Sequence, residues 1–240
     1  MSKKAIKRIL TKDMKEITNQ KLEDLGIYIQ FNEENILEAN AMIVGPKDSL
    51  YQGGFLFFKI TFPINYPFSP PDVVYISRNN IRIHPNIYVG SGTGGKGKVC
   101  LSILGTWSGP KWTSIMDIST VLLSIQSLLD TNPLSHEPGN ISKNEVINNA
   151  YNDVIQYETI KTLCLLNCKD VPEGYQYFIP FMSKHFEVFK DIHYDIIRKH
   201  KSVKKKYTVP FYRIQREVNY SLLFTEYSDF VKNYKNYLKI

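Results

Sequence analysis

Residues 84–112 read HPNIYVGSGTGGKGKVCLSILGTWSGPKW. This stretch holds a His-Pro-Asn triplet, a glycine-rich run, one cysteine (Cys100) inside an apolar segment, and two tryptophans. A cysteine in an apolar run is ordinarily a buried structural residue, because a free thiol behaves as a small apolar side chain. Whether Cys100 has a chemical role therefore depends on the sequence on either side of it.

The composition is that of a globular protein. The chain has 240 residues, of which 43% are hydrophobic and 22% charged, and this predicts one compact domain with an appendage. No stretch contains the roughly 18 consecutive apolar residues of a membrane span, and the Lys-rich N-terminus lacks the apolar run of a signal peptide. We therefore expect no membrane association and a cytoplasmic or nuclear location.

The net charge of +7 is concentrated in two short runs, Lys3–Arg8 and Arg198–Lys206. Such runs occur in nucleic-acid sites and nuclear signals, but they are also typical of solvated faces and of partner docking. For the second run we favour a solvated turn. We expect no nucleic-acid partner.

The three cysteines do not predict a disulfide framework, because the number is odd and the chain shows no secretion signal. Cys164 and Cys168 stand one helical turn apart. A structural zinc site needs four ligands, however, and no Cys-x-x-Cys or His pair is placed to complete one. We assign both cysteines to a helix core and predict neither a metal nor a cofactor.

Hydrophobic periodicity predicts both helices and strands. Short polar turns between three early strands favour an antiparallel meander, and a fourth strand follows the proline-rich stretch Pro63–Pro71. A broad apolar stripe predicts a deeply buried helix after Trp112. The predicted elements are a surface helix over Lys3–Asn19, strands over Gly26–Phe31, Ile36–Val44, Gly54–Phe62 and Val73–Ile76, the buried helix over Ser114–Leu129, and further helices over Ser142–Cys168 and Gln176–Lys199.

The glycine-rich run Gly90–Gly97 has the spacing of a phosphate-binding loop, with Gly95 and Lys96 at the expected places. Such a loop needs a Ser or Thr after the lysine and a helix that begins there. Gly97 and a short strand-like run stand in those positions instead. We favour a mobile hairpin insertion, with nucleotide binding as the alternative.

The order of motifs around Cys100 resembles the ubiquitin-conjugating enzyme family. The matching motifs are Tyr66-Pro67-Phe68-x-Pro70-Pro71, His84-Pro85-Asn86, Val99-Cys100-Leu101, the tryptophans Trp107 and Trp112, and the long apolar helix. Segments 102–112 and 132–139, with the helix from Tyr151 to Ile160, resemble a long subgroup of that family. The subgroup includes the conjugating enzyme charged by the alternative vertebrate ubiquitin-activating enzyme and the conjugating domain of a giant inhibitor-of-apoptosis ligase.

The resemblance implies a role for each of four residues. Cys100 is the acyl carrier, since a thioester keeps enough transfer potential for an amine to attack it. Asn86 stabilises the oxyanion of that attack or holds the adjacent turn. His84 is structural, with general-base catalysis as the alternative. Glu137 stands where the family usually has an Asp, and it either handles the acceptor lysine or is a solvated loop charge.

The resemblance also implies two docking surfaces. The first helix meets the activating enzyme through Lys3, Lys4, Lys7 and Arg8, unless these are plain solvated charges. Phe68 and the segment Thr113-Ser114-Ile115 match the ligase-docking patch, but the segment lacks the usual Ser-Pro-Ala, which puts docking of ordinary RING ligases in doubt. The insertion between Asn86 and Cys100 enlarges the loop beside the predicted site.

Together these observations predict an α+β ubiquitin-conjugating fold. It would contain an N-terminal helix, a four-stranded antiparallel meander, a central buried helix and C-terminal helices in a core over residues 1–168, with a mainly helical extension over 169–240. The expected function is to accept ubiquitin or a related modifier from an activating enzyme as a thioester on Cys100. Transfer to a substrate lysine or a ligase cysteine would follow, with ATP used by the activating enzyme and not by this chain. The alternatives are a catalytically silent scaffold of the same fold and a nucleotide-binding protein.

Overall fold

A computed structural model describes residues 2–90, 96–139 and 141–240 of the chain. The chain forms two compact units whose segments alternate along the sequence. The first is drawn from Met1–Ile43, Leu56–Asn80 and Asn86–Leu129, and the second from Val44–Phe55, Ile81–Pro85 and Asp130–Ile240. The division into a core over residues 1–168 and an extension over 169–240 stays a prediction.

The first unit is built on a five-stranded sheet whose strands lie in chain order. The pairs β1–β2, β3–β4 and β4–β5 are antiparallel, with Ile29 opposite Ala41 and Phe58 opposite Tyr75. The four predicted strands are present and differ from the prediction only at their ends, while β5 is an addition. The strands are β1 (Ile27–Phe31), β2 (Glu38–Val44), β3 (Phe55–Thr61), β4 (Asp72–Ile76) and β5 (Lys96–Lys98).

The N-terminal helix is interrupted by one π-helical turn. Helix α1 (Ser2–Arg8) leads into the π turn over Ile9–Asp13, and α2 (Met14–Asn19) follows. A π turn inserts an extra residue and shifts the helix face by part of a turn. Leu10, predicted on the apolar stripe, is consequently 52% exposed, whereas Asp13 is fully buried.

Asp13 is a buried carboxylate that joins three segments of the first unit. It accepts hydrogen bonds from the Tyr66 hydroxyl and, at 3.0 Å, from the backbone N–H of Ile118. The Arg8 Nε lies 3.4 Å from its second oxygen. Burial raises the pKa of Asp13, and the hydrogen bond from Tyr66 opposes that effect. The carboxylate thus ties the N-terminal helix to the proline-rich loop and to the start of the central helix.

The central helix α3 (Ile118–Ser127) begins later than predicted. The prediction that it starts at Ser114 is wrong, because Asp117 caps the helix in an extended conformation and accepts the N–H of Thr120 at 3.1 Å. The apolar stripe itself is confirmed as buried. Its buried members are Ile118, Val121, Leu122, Ile125, Leu128 and Leu129.

Gly97 in β5 lies against the backbone of Tyr88. A Cβ atom on residue 97 would come within 1.6 Å of the Tyr88 carbonyl oxygen, so only glycine fits there. The Tyr88 N–H also donates to the Lys98 carbonyl at 2.9 Å. The remaining part of the predicted hairpin insertion, residues 91–95, lies outside the described residues.

The second unit contains the long C-terminal helices and a two-stranded hairpin. The hairpin was not predicted, because three consecutive lysines at the start of its first strand hide the alternation of a strand. The elements are α4 (Glu145–Glu158), a π-helical segment (Thr159–Leu166), α5 (Asn167–Lys169), α6 (Ile179–Lys199), β6 (Lys204–Val209), β7 (Ile214–Asn219) and α7 (Tyr220–Leu238).

The hairpin is fixed to helix α4 by two polar contacts. Arg216 Nε lies 2.5 Å from an oxygen of Glu158, which is fully buried. The Tyr207 hydroxyl donates to Asp153 at 2.8 Å, and burial together with this hydrogen bond raises the pKa of Tyr207 to about 12. The apolar side chains that accompany these contacts in the interior are Val209, Ile214 and Val218.

The lengths and hydropathy of the helices bear on membrane insertion. Across residues 2–90, 96–139 and 141–240, we find no helix that combines the length and the apolar character needed to cross a bilayer.

Replacement of Asp13 tests the importance of its buried network. Asp13→Ala leaves the Tyr66 hydroxyl, the Ile118 N–H and the Arg8 guanidinium without their shared acceptor. Loss of a buried charged partner typically costs roughly 3 kcal/mol, so we expect the free energy of unfolding in urea to fall by about that amount. Glu16→Ala, in the same helix but partly exposed, should change it little. An unchanged urea midpoint for Asp13→Ala would contradict this role.

Candidate active site

Cys100 lies just after β5 and is paired with Asn86 through two hydrogen bonds. The Cys100 N–H donates to the Asn86 carbonyl at 2.8 Å, and the Asn86 side-chain amide donates to the Cys100 carbonyl at 2.9 Å. Next to them, Ile87 and Val99 form an isolated antiparallel bridge. These contacts fix the backbone of Cys100 on one side.

Thr106 fixes the backbone on the other side. Its hydroxyl donates to the Val99 carbonyl at 2.7 Å and accepts the N–H of Leu101 at 2.9 Å. The chain can turn back in this way because Gly105 has φ of +69°, a conformation that glycine adopts without strain. We call the hydrogen bonds from Asn86 and Thr106 to residues 99–101 the Cys100 clamp. It holds the peptide units before and after the thiol at defined positions.

The Cys100 residue is only 2% exposed. A thiolate can act as a nucleophile only when an acyl donor reaches the sulfur. Acyl transfer to Cys100 therefore depends on whether an acyl donor can reach the sulfur.

Asn86 has a holding role in this geometry. One N–H of its amide is used on the Cys100 carbonyl, and a primary amide has two such donors. This hydrogen bond ties the Asn86 side chain to the backbone of Cys100, and its role in oxyanion stabilisation stays a prediction.

His84 belongs to the second unit and is fully buried. Its ring lies 5.0 Å from that of His136 and 6.4 Å from that of Tyr51, whose hydroxyl donates to the Ile83 carbonyl at 2.6 Å. A general base must reach the proton that it accepts. Burial among rings therefore favours the structural alternative for His84.

Glu137 follows a short helical turn over Pro133–His136 in the second unit and is half-buried. Its carboxylate accepts a hydrogen bond from the Tyr212 hydroxyl. The preceding His136 Nε2 lies 2.8 Å from a carboxylate oxygen of Asp130. Glu137 therefore has a hydrogen-bond partner within the second unit, and its role stays a prediction. Sequence reasoning missed Tyr212, because nothing local links a loop tyrosine to a glutamate 75 positions earlier.

A comparison with protein families matches residues 9–160, well over half of the chain, to the family described as Ubiquitin-conjugating enzyme. The chain belongs to the ubiquitin-conjugating enzyme family. The predicted α+β fold is confirmed.

Several curated relatives share this assignment. "Ubiquitin-conjugating enzyme E2 Z" of Danio rerio is 40% identical over 139 residues, which are 57% of this chain and 40% of that protein. The Homo sapiens E2 Z protein is also 40% identical, over a region that is 57% of this chain and 38% of the human protein. A "Ubiquitin-conjugating enzyme E2" of African swine fever virus is 35% identical over 140 residues, 57% of this chain and 59% of that protein. The likeness to E2 Z confirms the predicted resemblance to the long subgroup.

The matched region is a part of each of these relatives. The chain spans about two fifths of the length of the E2 Z proteins. Among solved structures, the E2 domain of a Toxoplasma gondii ubiquitin conjugating enzyme is 27% identical, covers 64% of this chain and 98% of that chain, and superposes with a TM-score of 0.48.

The residues predicted to meet the activating enzyme differ in their exposure. Lys3, Lys4 and Lys7 are exposed on α1. Arg8, in contrast, donates to the Met116 carbonyl at 2.6 Å and contacts the buried Asp13. Arg8 is therefore partly engaged in contacts within the first unit.

The residues predicted to meet a ligase are exposed in the first unit. Phe68 is 75% exposed and Ile115 is 76% exposed. The Trp112 indole N–H donates to the Pro67 carbonyl at 2.6 Å, which links the two loops that carry them. Thr113 and Ser114 are exposed beside Ile115.

Cys164 and Cys168 lie in the helical segment of the second unit, and both are fully buried. In the part of the chain that the structure describes, no group of three or more His, Cys, Asp and Glu side chains is placed to hold a metal ion. Both thiols lie in the helix core, and the absence of a bound metal stays a prediction.

The Cys100 clamp can be tested by removing one hydroxyl. Thr106→Val keeps the shape of the side chain but removes the donor to Val99 and the acceptor for Leu101. We expect the free energy of unfolding to fall by about 1–3 kcal/mol and the Leu101 amide to exchange faster with solvent. Thr106→Ser keeps the hydroxyl and should behave like the wild type. Unchanged amide exchange at residues 99–101 in Thr106→Val would show that Thr106 does not hold this segment.

Proposed function

We propose that the chain accepts ubiquitin, or a ubiquitin-like modifier, from an activating enzyme as a thioester on Cys100 and passes it to a substrate lysine or a ligase cysteine. The observation that carries the proposal is the Cys100 clamp, in which residues of the family's motifs hold the backbone around the one cysteine that those motifs specify. Membership of the family supports it.

Loading is a thiol exchange. The Cys100 thiolate attacks the carbonyl carbon of the thioester on the activating enzyme, a new S–C bond forms, and the enzyme's thiolate leaves with the former bonding electrons. Both sides of this exchange are thioesters, so loading needs no strong local base and no cofactor on this chain. The ATP that makes the first thioester is used by the activating enzyme.

Discharge is an aminolysis. The neutral amine of a lysine attacks the carbonyl carbon of the Cys100 thioester, and negative charge develops on the carbonyl oxygen. The nitrogen then gives its surplus proton to the departing Cys100 sulfur or to solvent as the amide forms. We propose that Asn86, whose side-chain amide lies beside the Cys100 backbone through its hydrogen bond to the Cys100 carbonyl, stabilises the thioester carbonyl oxygen. Transfer to a ligase cysteine is a second thiol exchange without proton loss from an amine.

Glu137 is proposed to orient the acceptor ammonium and to accept its proton. Only the neutral amine is nucleophilic, and the lysine ammonium has an ordinary pKa of about 10.4, so a carboxylate at the acceptor site would matter at neutral pH. The hydrogen bond from Tyr212 supports this role, because it fixes one oxygen of the carboxylate. His84 is proposed to be structural.

Two exposed surfaces support the proposed protein partners. Lys3, Lys4 and Lys7 are proposed to steer the activating enzyme electrostatically. Phe68 and Ile115 are proposed to anchor a ligase, since exposed apolar side chains of this kind commonly dominate small interfaces. The substrates are proteins, and we place the enzyme in the cytoplasm or nucleus.

The second candidate is a catalytically silent scaffold of the same fold. It is favoured by one observation, the 2% exposure of Cys100. The two functions differ in whether an acyl donor can reach the sulfur.

Charging of Cys100 tests the proposal directly. The protein is mixed with ubiquitin, ATP and each ubiquitin-activating enzyme in turn, and the products are run on gels with and without reductant. We expect an adduct one ubiquitin larger that reductant removes, because a thioester is cleaved by excess thiol. Cys100→Ala should abolish the adduct.

Cys164→Ala is the matched control, since that thiol is fully buried in a helix, and it should charge like the wild type. In native buffer an alkylating agent should modify Cys100 before Cys164 and Cys168. If Cys100 is alkylated only on unfolding and no activating enzyme charges it, the scaffold is the correct function.

Asn86→Ala separates charging from discharge. The variant should charge at close to the normal rate but discharge onto free lysine about 100-fold more slowly, since loss of one oxyanion donor typically costs roughly 10²–10³ in rate. The measurement is a single-turnover chase of the charged protein with lysine. If charging slows as much as discharge does, Asn86 acts by holding the Cys100 backbone and the oxyanion assignment is wrong.

A further inference from the structure

The tip of the β6–β7 hairpin has an unusual backbone. The last pair of the ladder is Val209 with Ile214, so residues 210–213 form the connection. Tyr212 has φ of +61° and Arg213 has φ of +52°. This left-handed conformation costs a non-glycine residue about 1–2 kcal/mol. Two such residues in succession persist only where other contacts hold them, and they often occur at functional positions.

The contacts that hold Tyr212 fix the direction of its hydroxyl. The Arg82 guanidinium lies over the ring, 4.3 Å from its centroid, and the ring of Tyr151 meets it edge to face at 6.0 Å. Tyr151 is fully buried and donates to the Arg82 carbonyl at 2.8 Å. The tyrosine ring is therefore held between a cation and a buried aromatic ring, both in the second unit.

The hydroxyl so placed donates to Oε2 of Glu137. A glutamate has three rotatable side-chain bonds, and a hydrogen bond to a carboxylate is among the stronger kinds in proteins. The bond selects one orientation of the carboxylate.

The base of the hairpin has its own attachments. Tyr207 donates to Asp153, and Arg216 pairs with the buried Glu158 of α4. The hairpin that carries Tyr212 is therefore attached to helix α4 at its base. The Tyr212 hydroxyl and the Tyr207 hydroxyl lie on the same hairpin, but only the first reaches Glu137.

We propose that Tyr212 is a positioning residue that orients Glu137 for the acceptor lysine, so that the C-terminal hairpin tunes aminolysis of the thioester without affecting its formation. This inference rests on the proposed acceptor role of Glu137. Tyr212 acts through Glu137 and does not itself touch the reacting atoms.

The test is single-turnover discharge of the charged full-length chain, with free lysine varied in concentration and pH. Tyr212→Phe keeps the ring beneath Arg82 and removes the hydroxyl. We expect normal charging, about a tenfold lower maximal rate of transfer to lysine, and an unchanged rate of transfer to free cysteine. A thiol acceptor does not need the carboxylate.

The pH profile distinguishes positioning from a structural role. The defect of Tyr212→Phe should shrink as the pH rises towards about 10.4, because lysine is then increasingly deprotonated without help. A defect caused by a loosened fold would not shrink in this way. Tyr237→Phe is the control, since it removes a tyrosine hydroxyl that donates to Asp229 within α7 and not to the hairpin, and it should discharge normally.

Glu137→Gln separates failure of this inference from failure of the proposed function. If Glu137→Gln slows lysine transfer, and adding Tyr212→Phe to it causes no further loss, the positioning role holds. If Glu137→Gln slows transfer but Tyr212→Phe does not, or if Tyr237→Phe is equally slow, the role of Tyr212 is refuted while that of Glu137 stands. Normal transfer by Glu137→Gln refutes both roles, and a chain that cannot be charged on Cys100 refutes the proposed function itself.

Discussion

The hydrogen bonds that hold the backbone around Cys100 are the constraint on which the proposed chemistry depends. Asn86 and Thr106 together engage the peptide groups of residues 99–101 from two sides. A thioester places a large acyl group on a small sulfur, and the geometry of attack on its carbonyl is set by where the cysteine backbone lies. Cys100 is 2% exposed, so access of an acyl donor to the sulfur is the second requirement of that chemistry.

The same principle recurs elsewhere in the chain, where a buried polar side chain with several partners joins distant segments. Asp13 does this in the first unit, and Glu158 does it in the second, where it binds Arg216 and accepts from Thr162 at 2.6 Å. Buried polar groups are costly unless they are satisfied, so such networks specify one arrangement of the segments that they join. In the second unit this places the hairpin that carries Tyr212.

The sequence predicts the elements that depend on neighbouring residues, and it misses the contacts between residues that are far apart in the chain. Strands β1 to β4 follow from alternation and turn residues over a few positions, and the order of motifs identifies Cys100 and Asn86. The start of α3 was misplaced, because a single cap at Asp117 outweighs an apolar pattern that extends further back. The π turn that buries Asp13 leaves no mark in hydrophobic periodicity, and the contact of Tyr212 with Glu137 spans 75 positions.

The central claim is that the acyl group is carried by residue 100 and by no other. Cys100→Ser would replace the labile thioester by an oxygen ester that survives reductant, so the site can be mapped by proteolysis and mass spectrometry after incubation with activating enzyme, ubiquitin and ATP. We expect the remnant of the ubiquitin C-terminus on the peptide that contains position 100. A remnant found on a lysine or on another cysteine instead, with position 100 unmodified, would contradict it.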